Sequence, residues 1–367
     1  MEKNLYLSLL FLLSIITLPT AITAACQKPT AVYAFGDSVF DAGNNNKLAT
    51  ICRANHAPYG VDFPGRSATG RFSNGKLPGD ILAADLGIKD LLPAYADAAA
   101  EAEELLTGAT FASSCSGLDD LTAAEVGVHS LDKQFRNFQM ALRLMKEKLG
   151  LEKAAAAMEN GLFLISAGSD DMMNNYYVLP TTRAKYSLPA YHDKLLKNLE
   201  TFVKKLHMAG AKRLAVMGLP PLGCLPVDVT ANFLPSPPSQ NANASRDPLR
   251  RECKSNHNSD AQEYNAKLEA WVKKMMVAMP IIKIAYMDIY NPIMDMINKP
   301  YEFGFKTTLE GCCGSGALEL GPLCNLASIT CHQRAEYVFW DSAHPTETTY
   351  KDLTKIFIDK VLPSLLK

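Results

Sequence analysis

Three side chains of this sequence could act on one another: Ser38, in Ala34-Phe35-Gly36-Asp37-Ser38, and Asp341 with His344, in Phe339-Trp340-Asp341-Ser342-Ala343-His344-Pro345. A serine hydroxyl is a weak nucleophile until a base takes its proton. A neutral imidazole oriented by a carboxylate is the usual base. Asp341 and His344 stand three positions apart, so on a turn or a first helical turn their side chains fall on one side. Each part also has a plainer use: Asp37 and Ser38 can cap a following helix, and Asp341 can cap the last one. Taken together, the three predict Ser-His-Asp chemistry, with Ser38 as nucleophile, His344 as base and Asp341 as its orienting carboxylate.

Apolar, β-rich runs at 31–35, 162–166, 214–217 and 281–287, with a shorter one at 337–340, predict strands. Amphipathic patterns at 132–149, 192–209, 259–279 and 346–362 predict helices between or after them. Ser259 with Gln262 suggests a capped start, and Gly210 a stop. Strands alternating with helices imply a parallel sheet covered on both faces, an α/β three-layer domain. Ligands bind such sheets beyond the carboxyl ends of the strands, where Ser38 falls.

Residues 1–25 read as a secretory signal peptide, with Lys3, an apolar stretch from Leu5 to Leu18 and mostly small residues from Ala21 to Ala25. No later segment approaches the roughly 20 uninterrupted apolar residues of a membrane span. The remaining 26–367 suit one domain, soluble and extracellular. A formal net charge of −1, with basic residues scattered, argues against nucleic-acid or anionic-membrane partners. A small or lipid-like molecule is the expected ligand. Residues 234–248 are rich in proline and serine and read as an exposed loop. They hold the Asn243-Ala244-Ser245 glycosylation sequon.

Nine cysteines follow the signal: 26, 52, 115, 224, 253, 312, 313, 324 and 331. Secretion favours disulfides over a metal site, the more so because the crowded cysteines at 312–331 lack paired C-x-x-C spacing. Cys224 and Cys253 flank a loop they would close. An odd count leaves one thiol over.

Several blocks, in order along nearly the whole mature chain, resemble plant secreted GDSL-type esterases/lipases of the SGNH hydrolase superfamily. They are Phe35-Gly36-Asp37-Ser38 with Asp41-Ala42-Gly43-Asn44, Gly70-Arg71-Phe72-Ser73-Asn74-Gly75, Gly161 to Tyr177, Gly218-Leu219-Pro220-Pro221-Leu222-Gly223-Cys224, Tyr301 to Cys313, and Phe339 to Glu347. The resemblance implies a flavodoxin-like α/β/α fold and hydrolysis of carboxylic esters by Ser38, His344 and Asp341, without metal or organic cofactor. It also implies an oxyanion hole of three donors: the amide of Ser38, a backbone amide of the second block and a side-chain amide of the third.

Here the sequence departs from the family pattern twice. The second block reads Thr110-Phe111-Ala112-Ser113-Ser114-Cys115-Ser116-Gly117, with Cys115 at a position usually held by glycine. A backbone amide can still donate there, but any positive φ becomes costly. Because it replaces a site-lining residue, Cys115 is the expected unpaired thiol. The third block reads Gly168-Ser169-Asp170-Asp171, with Asp170 where the family usually has asparagine. An ionised Asp170 only accepts hydrogen bonds, so it could serve an oxyanion only when protonated. These departures leave three readings: a specialised esterase/lipase, an acyltransferase sharing the same acyl-enzyme, and a catalytically impaired relative that binds a ligand in the old cleft.

Overall fold

The computed structural model describes residues 28–231 and 251–366. The expected signal segment, Cys26, the stretch 234–248 and the Asn243 sequon lie outside the described residues.

Strands β1 (Ala31–Gly36), β2 (Gly161–Ser166), β3 (Arg213–Met217) and β4 (Lys283–Met287) form a parallel sheet in that order. Every residue of β1 and β2 is buried. That is the pattern of strands covered on both faces, whose apolar runs do not alternate.

On the other side of β1 runs a segment that sequence reading missed. Val32 N–H donates to Thr107 O, Phe111 N–H to Ala34 O and Ser113 N–H to Gly36 O, and Thr110 pairs in parallel with Ala34. Counting this irregular edge, the sheet runs second, first, third, fourth, fifth in chain order, the flavodoxin-like arrangement. Phe111 is its one large apolar residue, and the small and polar residues around it form no apolar run, which hid it. Gly108 is needed there: its φ is +111°, and a Cβ would lie 1.9 Å from Val32 O.

Helices Leu131–Leu149, Leu188–Met208 and Ser255–Ala278 pack against one another and, through the first and last, against β1 and β4. On the first of these, Leu131, Phe135, Phe138, Leu142 and Met145 recur at three- and four-residue spacing and are buried. Phe138 meets Tyr33, Phe35 and Phe163 edge-on. Helices Pro78–Asp85, Glu347–Ile356 and Leu362–Leu366 pack against β1, one another's neighbours and β3–β4, completing an α/β/α sandwich.

The helix expected from Ser259 begins a turn earlier, at Ser255. Lys254 is anchored there, its N–H donating to Gly223 O and its ammonium to Asp228, so Ser259 is interior and caps nothing. Gly210, at φ +110°, ends the Leu188–Met208 helix as expected.

A second, two-stranded parallel sheet pairs β5 (Thr307–Gly311) with β6 (Tyr337–Phe339). The 337–340 run therefore stands apart from the main sheet, and its role is to present the loop that follows it.

Candidate active site

Ser38 sits two residues beyond the last residue of β1. Gly36 makes the turn possible: it has φ +114°, and a Cβ would lie 1.6 Å from Ser166 O of the neighbouring strand. No helix follows. Asp37 Oδ1 accepts from Val39 N–H at 3.1 Å and from Ser166 Oγ at 2.9 Å, so Asp37 closes a turn instead of capping a helix.

Asp341 and His344 lie between β6 and the last helix pair. The loop is closed by Trp340 N–H donating to His344 O at 2.7 Å and by Thr346 N–H donating to Val338 O at 3.0 Å. Thr346 caps the helix at Glu347, which leaves Asp341 free of that duty. The block at Gly70–Gly75 cradles this loop from outside. Phe72 stands 4.7 Å from the His344 ring, Ser73 Oγ donates to Pro345 O, and Asn74 Oδ1 accepts from Glu347 N–H. A buried bidentate pair of Arg71 with Asp80 fixes the block itself.

The fold brings the three side chains together across 306 positions of sequence: Ser38 Oγ lies 2.8 Å from His344 Nε2. His344 Nδ1 lies 2.8 Å from Asp341 Oδ2 and 3.0 Å from Oδ1. An Nδ1 facing a carboxylate carries the proton, which leaves the Nε2 lone pair for the Ser38 hydroxyl. Asp341 is fully buried, and Ser38 and His344 are each 9% exposed, enough for a small electrophile to reach them.

Sequence reading missed Tyr59. Its buried hydroxyl donates to Asp341 Oδ2 at 2.7 Å and accepts from Gly321 N–H at 2.9 Å, while Asp341 Oδ1 accepts from the amides of Ala343 and His344. No local pattern links Tyr59 to a carboxylate 282 positions away. Tyr59→Phe removes one charged hydrogen bond and should lower kcat roughly ten- to 150-fold, the rate equivalent of about 1.5–3 kcal/mol, with KM little changed. Steady-state kinetics on a short ester checks it, and an unchanged kcat would show that Asp341 is held without Tyr59.

The second block arrives on the edge segment beside β1. Ser114 N–H donates to Asp41 Oδ2 at 2.8 Å, and Ser116 Oγ to Gly36 O at 2.7 Å, so Cys115 is bracketed by residues bonded to both flanks of the Ser38 turn. Gln134, also missed, is buried and clamps the same place: Gly36 N–H donates to its Oε1, and its Nε2 donates to Gly36 O and Ser116 Oγ. Asn44 and Asn45 shape the loop that follows the Ser38 turn. Asn44 Nδ2 donates to Thr110 O and Ala112 O, and Asn45 Nδ2 to Cys52 O and Ser114 O.

Cys115 is not the unpaired thiol. It is disulfide-bonded to Cys52, and its φ is +64°. The pairing was invisible in the sequence because only the edge segment, tied to the Cys52 loop through Asn45, brings the two cysteines together. Cys224–Cys253 closes the loop as expected, and the adjacent Cys312 and Cys313 serve separate bridges to Cys331 and Cys324.

The third block lies where a short π-helical turn, Asp171–Tyr176, follows β2. Asp171 is saturated, accepting from Leu118 N–H, Asp119 N–H and Thr122 Oγ1, and so ties the third block to the residues that follow the second. Asp170 keeps partial exposure, and its Oδ1 accepts from Asn174 Nδ2 at 2.7 Å. Burial of its carboxyl, then the facing carboxyls of Asp37 and Asp171, push its pKa well above the ordinary carboxylate range.

The same burial lifts Asp37 to about 7, and Asp41 and Asp171 to about 6, from 3.8. A raised folded-state value means that the folded protein keeps protons the unfolded chain has released, so stability is lost as pH rises through that value. His129, half-buried, and His192, fully buried, have values lowered from 6.5 and act in the opposite sense chiefly below 6.5. Between pH 6.5 and pH 8.5 the melting temperature should therefore fall. A flat profile over that window in calorimetry would show that Asp37 and Asp170 are ionised in the folded protein at pH 6.5.

A profile of the GDSL-like lipase/acylhydrolase family matches residues 32–357. The chain belongs to that family. It is 40% identical to the Arabidopsis thaliana protein named GDSL esterase/lipase At2g40250, over 99% of each chain. It is 39% identical to GDSL esterase/lipase EXL3 of the same plant, over 95% of this chain and 93% of that one. The chain is thus a GDSL enzyme of the carboxylic ester hydrolase class. Among the described residues no helix is long and apolar enough to cross a membrane.

Proposed function

We propose that this GDSL enzyme is a secreted serine esterase that cleaves small or lipid-like carboxylic esters through an acyl-enzyme on Ser38. The 2.8 Å contact of Ser38 Oγ with His344 Nε2, backed by Asp341, carries the reading. Ser38 Oγ attacks the ester carbonyl as His344 Nε2 takes its proton. The tetrahedral oxyanion is met by the N–H of Ser38 and of Cys115, neither of which donates to an acceptor among the described residues. Protonated Asp170 supplies the third donor through the oxygen that Asn174 does not occupy. Collapse expels the alcohol, which takes the proton from His344. Water then attacks the acyl-enzyme with His344 again as base, releasing the acid and restoring Ser38.

Four disulfides among the described residues suit an oxidising compartment, and residues 1–25 would be removed on the way there to leave one domain, 26–367.

A fluorophosphonate probe should label native protein once, at Ser38, as mapped by tandem mass spectrometry, and the same sample should hydrolyse a short activated ester. Failure of wild-type protein to label would overturn the nucleophile. N-terminal sequencing of the exported protein tests the leader, with Cys26 expected first.

A further inference from the structure

At φ +64°, Cys115 occupies the left-handed region that favours glycine, which every other residue with a Cβ enters at a cost. Its neighbours are tied down by Ser114 N–H to Asp41 Oδ2, and by Ser113 N–H and Ser116 Oγ to Gly36 O. Among the described residues Cys115 itself is held through its sulfur, by the bond to Cys52 and a 3.8 Å contact from Ser114 Oγ. Cys52 is in turn fixed beside it, because Asn45 Nδ2 donates to both Cys52 O and Ser114 O, and Cys52 N–H donates to Thr50 Oγ1.

We propose that Cys52 is a positioning residue for catalysis: the Cys52–Cys115 disulfide holds the Cys115 backbone in a left-handed conformation that aims its amide at the oxyanion, replacing by a covalent tether the freedom glycine would have supplied. This role presupposes the Cys115 amide as an oxyanion donor. The tether also makes the site reducible. A dithiol gives up two electrons and two protons and closes to its own disulfide, while Cys52 and Cys115 each become a thiol. Cys115 is then free to leave the left-handed region.

The test compares full-length wild type, Cys52→Ala/Cys115→Ala, Cys52→Ala/Cys115→Gly and Ser38→Ala on a short activated ester. The alanine pair should lose roughly five- to thirtyfold in kcat, the rate equivalent of the left-handed penalty, with KM little changed. The glycine pair, equally without the bridge, should recover most of that loss. A tether that merely stabilised the fold would depress both pairs alike, so equal loss, or no loss in the alanine pair, overturns the inference. Should the bridge-free variants fail to fold, wild type is treated with dithiothreitol under native conditions. Differential alkylation then reports the fraction of Cys52–Cys115 opened, and kcat should fall in proportion to it; activity independent of that fraction overturns the inference. Ser38→Ala separates the two levels. If it stays active, the Ser38 reading itself fails; if it is inactive while the alanine pair keeps full kcat, only the tether fails.

Discussion

Ser38→Ala should lose roughly a millionfold in kcat while its melting temperature stays close to wild type. In a serine hydrolase with the same division of labour, removing the nucleophile or the base costs about 2 × 10⁶, whereas the carboxylate costs about 3 × 10⁴. The ordering expected here is therefore Ser38→Ala and His344→Ala together at the bottom, with Asp341→Asn less severe. The three act as one unit, joined at 2.8 Å on each side of His344, so the double variant Ser38→Ala/His344→Ala should be no worse than either single. Additive losses would mean that the residues serve separate steps. Melting curves guard against a trivial explanation, above all for Asp341→Asn: Asp341 is fully buried and accepts from Tyr59 and two backbone amides, so its loss also disturbs the loop.

Asp170 supports the second prediction. Asp170→Ala removes a donor to the oxyanion and should cost about 10² to 10³ in kcat. Asp170→Asn keeps a donor and should preserve turnover. The pH profile separates the roles. A protonated Asp170 can donate and an ionised one would repel the oxyanion, so wild-type kcat should decline on the alkaline side as pH passes its raised pKa. The groups facing it, Asp37 and Asp171, are themselves carboxyls, which ionise as pH rises and hold the proton on Asp170 longer. In Asp170→Asn the alkaline decline should vanish. If it persists unchanged, the titration belongs to another group and Asp170 is not the donor. If Asp170→Asn falls as far as Asp170→Ala, the carboxyl has a use an amide cannot replace, such as delivery of a proton.

Much of the fold was legible because its signals are local. The central strands are unbroken apolar runs, and the long helices carry three- and four-residue apolar spacing, so each could be located from its own residues. The edge segment at 107–113 could not, since Thr107 to Ser113 has one large apolar residue, Phe111, among small and polar ones, and holds its place by bonding to β1. Ser259 misled for a related reason: the helix start is set by Lys254 reaching Gly223 and Asp228, contacts absent from any local window.

The site divides along the same line. Residue chemistry singled out Ser38, Asp341 and His344, because few side chains can be nucleophile, base and orienting acid, and the resemblance to the GDSL pattern flagged Cys115 and Asp170 as departures. Tertiary structure decided what those departures mean. It paired Cys115 with Cys52 at a positive φ, surrounded Asp170 with other carboxyls, and supplied Tyr59 and Gln134 as supports. A residue's type is written in the sequence, but its protonation, its partner and its backbone strain depend on neighbours that only the folded chain brings within a few ångströms.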